Sequence, residues 1–280
     1  MTTAVLITGT SSGIGRATVE RLARRPELTV YATARRAESI ADLADTGARV
    51  LALDVTDPAS MAAAVKTVEA EHGAVGALVN NAGYGEYGPV EEVPLDRIRR
   101  QMDTNVIGLA HLVQLVLPGM RRAGRGRIVN ISSMGGKVTF PLGAFYHASK
   151  FAVEGFTDVL RTEVKPFGIG VSLIEPGVIR TGFGSTITST LSENTAKNTA
   201  GDSGPYAALK KAQDSLVNSG GTMERMAGSP DDVALAVERA LTATRPRPRY
   251  VVTAHARALI ATRRLLGDRG WDALVTRMYR

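Results

Sequence analysis

Short apolar, β-branched runs alternate along this chain with longer stretches whose apolar residues recur at helical spacing. Ala4 to Ile7, Thr29 to Ala32, Val50 to Leu53, Ala77 to Val79, Arg127 to Ile131, Gly170 to Ile174 and Arg249 to Val252 read as strands. The stretches between them predict helices at about Gly13 to Arg25, Pro58 to His72, Leu95 to Gly119, Ala144 to Phe167 and Pro230 to Thr242. Pro58 and Pro230 stand where a first helical turn tolerates proline, with Asp57 and Ser229 before them as N-caps. Strands separated by helices require crossover connections, which predicts an α/β fold with a parallel sheet of about seven strands covered on both faces. One segment breaks the alternation. Gly182 to Gly221 is rich in Ser, Thr, Asn and Gly without steady periodicity, and a loop of that length in a compact domain is functional or disordered.

Composition acts mostly by exclusion. The 280 residues are 44% hydrophobic and 22% charged, which supports a sizeable core. No apolar run is long enough to span a membrane, and the N-terminus has no basic leader, so a cytoplasmic protein is expected. With no cysteine, disulfides and thiolate chemistry are ruled out. His72, His111, His147 and His255 show no ligand spacing, so no metal site is expected. The formal charge of +7 is unevenly spread: residues 241–280 hold nine Arg against Asp268 and Asp272, which leaves 25 basic and 25 acidic residues before them. A neutral body with a basic tail, and no recognition motif, argues against a nucleic-acid partner. In the tail Trp271, Leu274, Val275 and Met278 recur at helical spacing beside Arg269, Arg277 and Arg280. That pattern predicts an amphipathic helix over residues 256–280, packed on its own domain or a second subunit, or lying on an anionic lipid surface.

Candidate chemistry starts at the first strand, which runs into Thr8-Gly9-Thr10-Ser11-Ser12-Gly13-Ile14-Gly15 and then a helix. Glycines there let the backbone turn sharply and approach a pyrophosphate at the helix N-terminus. The spacing is not the usual G-x-G-x-x-G, but its place in the first βα unit, and Asp54 closing the third strand, favour dinucleotide binding in a doubly wound Rossmann fold. After the second strand comes Arg35-Arg36. An NAD site places a carboxylate near there, whereas an arginine accommodates a 2′-phosphate, so NADP(H) is the expected cofactor, with NAD(H) second. Tyr146 and Lys150, four apart on a predicted helix, share one face. A neighbouring ammonium lowers a phenol's pKa and makes it a usable general acid/base; otherwise the two form a helix-surface pair. Ser133, just past the fifth strand, could polarise a carbonyl beside the tyrosine, and Ser132 is the adjacent alternative.

These motifs together resemble the short-chain dehydrogenase/reductase family. The match runs in register from about residue 4 to 180 through Thr8-Gly-x3-Gly13-x-Gly15, Asp54-Val55, Asn80-Asn-Ala-Gly83, Asn105, Ser133, Tyr146-x3-Lys150 and Pro176-Gly177, followed by Thr181. Within the family the chain looks like the 17-beta-hydroxysteroid and retinol dehydrogenase group. That likeness is carried by Val30-Tyr-Ala-Thr-Ala-Arg35, Ser149-Lys-Phe-Ala-Val-Glu-Gly155 and Pro230-Asp-Asp-Val233. The resemblance implies a catalytic tetrad of Asn105, Ser133, Tyr146 and Lys150. It further implies a cofactor held by Gly9, Ser11, Ser12, Gly13, Ile14, Gly15, Arg35, Asp54, Val55, Asn81, Ala82, Gly83, Tyr146, Lys150, Pro176, Gly177, Val178 and Thr181, with Asn105 holding a water that links Lys150 to solvent. It also implies a homodimer or homotetramer.

The segments Tyr84 to Val93, Met134 to Phe145 and Arg180 to Met226 are expected to wall the substrate, with residues 182–226 as a lid. They bring apolar and aromatic residues and few charges, which predicts a hydrophobic ketone or aldehyde and its alcohol. Beside Ser133 and Tyr146, the residues expected to touch it are Met134, Phe140 and Phe183. A single domain over residues 1–255, extended by the tail helix, is expected to be an NAD(P)(H)-dependent oxidoreductase. The alternative is an NADP-sensing regulator that kept the fold and lost the chemistry.

Overall fold

The computed structural model describes residues 2–196, 204–218 and 226–279. Seven strands form one sheet: β1 (Thr3–Ile7), β2 (Leu28–Ala34), β3 (Arg49–Ala52), β4 (Ala77–Asn80), β5 (Gly126–Ile131), β6 (Ile169–Glu175) and β7 (Arg249–Val251). All neighbours pair in parallel, in the order β3-β2-β1-β4-β5-β6-β7. The order reverses between β1 and β4, and the crevice beyond the carboxyl ends of those two strands is where this architecture receives ligands.

Alternation along each strand divides the core in two. Leu6, Leu78, Ile128 and Val171 point to one face, where α2 (Pro58–His72), α4 (Gly108–Arg122) and α5 (Ala144–Val164) cover them. Val5, Ile7, Val79, Val129 and Ile174 point to the other, under α1 (Gly13–Leu22) and the helix Pro230–Thr242. The predicted caps form: Asp57 accepts from the Ala59 amide at 2.9 Å, and Ser229 makes a reciprocal capping box with Asp232.

Three elements depart from expectation. The helix predicted over 95–119 is two helices, α3 (Leu95–Met102) and α4, joined by a π-helical turn, Asp103–Ile107. Its cause is tertiary: Gly108 packs so close to the Val55 carbonyl that no side chain fits, and Asn105 is bonded to Tyr84. The residues between β2 and β3 form 3-10 turns over Ala37–Thr46, interrupted at the non-helical Ile40, that periodicity did not show. The segment read as a long loop holds two helices, α6 (Phe183–Ala196) and α7 (Ala207–Asn218); its residues 197–203 and 219–225 lie outside those described. In α6 the hydroxyls of Thr186, Thr188 and Thr190 donate to carbonyls of the preceding turn, which answers the competition such residues normally offer a helix. Phe183, Ile187 and Leu191 then supply an apolar stripe at steps of four.

In chain order Pro230–Thr242 is α8, and the tail is α9 (Ala254–Met278), broken at Gly267 where φ is 61°. Trp271 is 2% exposed and packs with Val275, Val138 and Ile260, its indole N–H donating to the Thr139 carbonyl at 3.2 Å. Trp271, Leu274 and Val275 are thus packed against the chain's own domain, while Leu265, Leu266 and Met278 of the same helix stand exposed. No helix among the described residues is long and apolar enough to cross a membrane. Trp271→Ala should lower unfolding free energy by about 3–5 kcal/mol, measured as a shift of the urea midpoint; an unchanged midpoint would mean the tail contributes nothing to stability.

Candidate active site

The glycine turn is built from close approaches. Gly9 (φ 69°) lies against Ala82 so tightly that an added Cβ would stand 2.8 Å from the Ala82 Cα, and one on Gly15 would collide with the Gly9 carbonyl and the Asn81 amide. Side chains lock these backbones together. The Thr8 hydroxyl accepts from the Asn81 and Ala82 amides, each at 3.0 Å, while the Asn81 side chain donates to the Thr8 and Gly9 carbonyls at 2.9 Å. Asn81 therefore shapes the turn through its own hydrogen bonds. At the start of α1, Ser12 makes no side-chain cap and the first turn carries no acid, so the N-terminal amides remain open to an anion. Gly13 (φ 55°) faces Thr181, bringing the start of α6 to the same place.

Around this turn the other predicted cofactor residues gather. Asp54 sits after β3 with one carboxylate oxygen taking the Thr56 amide and hydroxyl at 2.8 and 2.7 Å, and Val55 is buried beside Gly108. Arg35 and Arg36 are exposed directly after β2, and no ion pair among the described residues engages them. Pro176 and Gly177 follow β6. An added Cβ on Gly177 would strike Thr253 and His255, and His255 accepts the Val178 amide at 2.8 Å. The start of α9 thereby supports the Pro-Gly turn.

The four tetrad candidates converge at the carboxyl end of β5. Ser133 accepts from the Gly135 amide at 3.0 Å, which leaves its own proton available, and its influence on Tyr146 is to lower the phenol's pKa. Ser132, the alternative, is buried on the Gly136 side and finds no partner among the described residues. Lys150 donates to the Ile131 carbonyl at 2.9 Å and lies 6.0 Å from the centre of the Tyr146 ring. Asn105 accepts from the Tyr84 amide at 3.1 Å and donates to the Tyr84 carbonyl and the Ser149 hydroxyl at 2.9 and 3.0 Å. A Cβ built on Gly83 would lie 3.1 Å from the Asn105 Oδ1 and 3.7 Å from the Lys150 Nζ, so the missing side chain leaves the space between them clear.

The electrostatics differ from the expected depression of Tyr146. Burial pushes the phenol up to about 12, opposed by the Ser133 hydrogen bond, and burial pulls Lys150 down to about 8, opposed by Glu154. Burial thus favours the protonated phenol over the phenolate.

Above Tyr146, Tyr87 stacks on its ring at 5.8 Å and Phe183 stands at 5.2 Å, with Leu142 and Leu191 completing an apolar roof. Phe183 thus stands over the Tyr146 ring, whereas Met134 and Phe140 pack into the Trp271 cluster, where the Phe140 ring meets Trp271 and His147 at 5.8 and 6.1 Å. Met134, Val138 and Phe140 meet the Trp271 face of α9, a partner that periodicity within their own segment cannot show. His147 was also missed. It takes the Phe140 amide on Nε2 and donates from Nδ1 to the Gly135 carbonyl, clamping both ends of the loop below the tyrosine.

A family model described as short chain dehydrogenase matches residues 3–192. The chain belongs to the short-chain dehydrogenase/reductase family. It is 43% identical to a 3-ketodihydrosphingosine reductase of Bacteroides thetaiotaomicron over 195 residues, 69% of this chain and 70% of that protein. It is 36% identical to human 17-beta-hydroxysteroid dehydrogenase type 1 over 290 residues, covering 99% and 85%. Among solved structures it is similar to a short-chain dehydrogenase/reductase from Burkholderia phymatum in complex with NAD (26% identity, TM-score 0.77, covering 94% and 93%). It is likewise similar to a metagenomic short-chain oxidoreductase in complex with NADP (26%, 0.67, covering 89% and 96%). Membership makes this chain an oxidoreductase with a nicotinamide cofactor, and the open α1 N-terminus beside the glycine turn fits that group. Gly15→Ala in this short-chain dehydrogenase should weaken cofactor binding at least tenfold, read by quenching of intrinsic fluorescence, with a lowered Tm because two backbones must separate.

Proposed function

We propose that the protein is an NADP(H)-preferring oxidoreductase that interconverts a hydrophobic ketone or aldehyde and its alcohol, with Tyr146 as general acid/base. The observation that carries this reading is a buried Tyr146 under an apolar roof, with Lys150 6.0 Å from its ring and Ser133 at the end of the adjoining strand β5. A bound reduced nicotinamide supplies hydride. Ser133 hydrogen-bonds the substrate carbonyl, and Tyr146 gives its proton to the oxygen as charge develops there. Lys150 holds the cofactor ribose and stabilises the phenolate that remains. Asn105 and the clear space at Gly83 hold the water that returns a proton to the pair.

Preference for NADP(H) rests on Arg35, exposed at the end of β2 with no ion pair among the described residues, and on the absence of an acid there, Glu38 standing further along in the 3-10 turns. The substrate class rests on the roof of Tyr87, Leu142, Phe183 and Leu191, and agrees with relatives named for a ketosphingoid and a hydroxysteroid. Cytoplasmic location follows the same reading. So does a homodimer or homotetramer through the helices of Asn105 and Tyr146, where Ile107, Phe151 and Val159 stand exposed.

Tyr146→Phe should reduce turnover of an aryl ketone at least 100-fold while NADPH binding stays within a few-fold; substantial reduction by this variant would falsify the assignment. Arg35→Asp should reverse coenzyme choice, lowering kcat/KM for NADPH and raising that for NADH. Unchanged NADPH kinetics would remove Arg35 from the 2′-phosphate site.

A further inference from the structure

The inner face of α5 continues past Lys150. Glu154 and Asp158 follow at steps of four, so Tyr146, Lys150, Glu154 and Asp158 stand in one row along the helix. Glu154 is 4% exposed, and Glu175, at the end of β6, is 2% exposed. Glu154 Oε2 accepts from Lys137 at 2.7 Å and from Arg249 at 3.1 Å, and Glu175 Oε1 accepts from Arg249 at 3.0 Å. Asp158 binds the same Arg249 nitrogen as Glu154, at 2.6 Å, and also binds Arg161 at 2.7 Å.

That leaves Glu154 Oε1 buried without a donor among the described residues, and the single Arg249 guanidinium bridges the two buried carboxyls. Two neighbouring buried carboxylates repel each other, which favours a proton on one of them. Burial first, and then the Glu154 charge, pushes Glu175 up to about 7, against Lys137 and Arg249. The pair is built into the catalytic end of the sheet. A Cβ on Gly136 would lie 2.9 Å from the Glu154 Cγ and 3.0 Å from the Lys150 carbonyl oxygen, so only glycine lets the turn after Ser133 rest on α5 at this step. Lys150 itself touches a carbonyl and no carboxylate; the negative charge acting on it is that of Glu154.

We propose that Glu154 and Glu175 are a proton-sharing carboxyl pair that acts as a positioning device for Lys150, holding one negative charge a helical turn behind the ammonium and adding a second when the shared proton leaves. With the proton the pair carries one charge, without it two, so rising pH strengthens the field that keeps Lys150 protonated. Lys137, Arg249, Asp158 and Arg161 are the other charged groups packed around the pair. The consequence for catalysis rests on the hydride-transfer reading above; the charge state of Lys150 does not.

Side-chain NMR of Lys150 in the full chain with isotope-labelled lysine, assigned by loss of the signal in Lys150→Met, reads its titration without turnover. Glu154→Gln should lower the midpoint by about one pH unit. Glu175→Gln, which keeps Glu154 charged and removes the shared proton, should lower it less, and Glu154→Asp should restore most of the shift. Infrared difference spectra between about pH 6 and about pH 9 should show the C=O stretch of a protonated carboxylic acid that Glu175→Gln abolishes. A Lys150 midpoint unmoved by Glu154→Gln overturns the proposal, as does absence of that stretch in the wild type, which keeps the test decisive should the Glu154→Gln variant not fold. Failure of the hydride-transfer reading shows elsewhere, as turnover by Tyr146→Phe, and leaves both signals in place.

Discussion

The hydrogen bond from Lys150 to the Ile131 carbonyl ties the longest regular helix to the last residue of a central strand. An ammonium buried there loses water on all sides, and a single carbonyl is poor compensation. The arrangement holds only because α5 is pinned along its length. Asn130 bonds Asn80 on the next strand and Thr157 on the helix, both at 2.9 Å, and His147 clamps the loop at the other end. Ser133, Tyr146 and the row of charges behind Lys150 inherit their positions from this seam between β5 and α5.

A second constraint is the meeting of β1 and β4. The sheet order places their ends side by side, and the absence of side chains on Gly9 and Gly15 lets the turn after β1 touch the turn after β4. Thr8 and Asn81 convert contact into a fixed shape. The open α1 N-terminus and the Tyr146 hydroxyl thus belong to one crevice, although some 130 residues separate them in the chain.

Local features were legible in the sequence. Strand alternation, the Pro58 and Pro230 starts with their caps, the glycine turn and the i, i+4 step from Tyr146 to Lys150 all act within a few residues, and the structure keeps them. What was hidden depends on partners distant in the chain. The π turn at Asn105 answers to Val55 and Tyr84; the helical state of α6 depends on its hydroxyls and on a roof assembled with Tyr87; Phe140 follows Trp271, which no pattern in its own segment names. Glu154 was closer to hand, since extending the Tyr146 and Lys150 step once more reaches it. Tyr146 is shifted up and not down because burial outweighs the opposing influence of Ser133.

The wide turn at Asp103–Ile107 has a consequence for how this chain tolerates change. A helix advances about 100° per residue, so one residue more or fewer is a change of phase for everything downstream. Removing one from this turn would swing Leu112, Val116 and Met120 about a quarter of the way round α4 and out of the interior they now fill. The turn works as a register mark: it lets Asn105 face Gly83 while the following helix still meets the sheet on its apolar side. Insertions and deletions should therefore be borne at the surface ends of α3 and α4, and not where the two helices join.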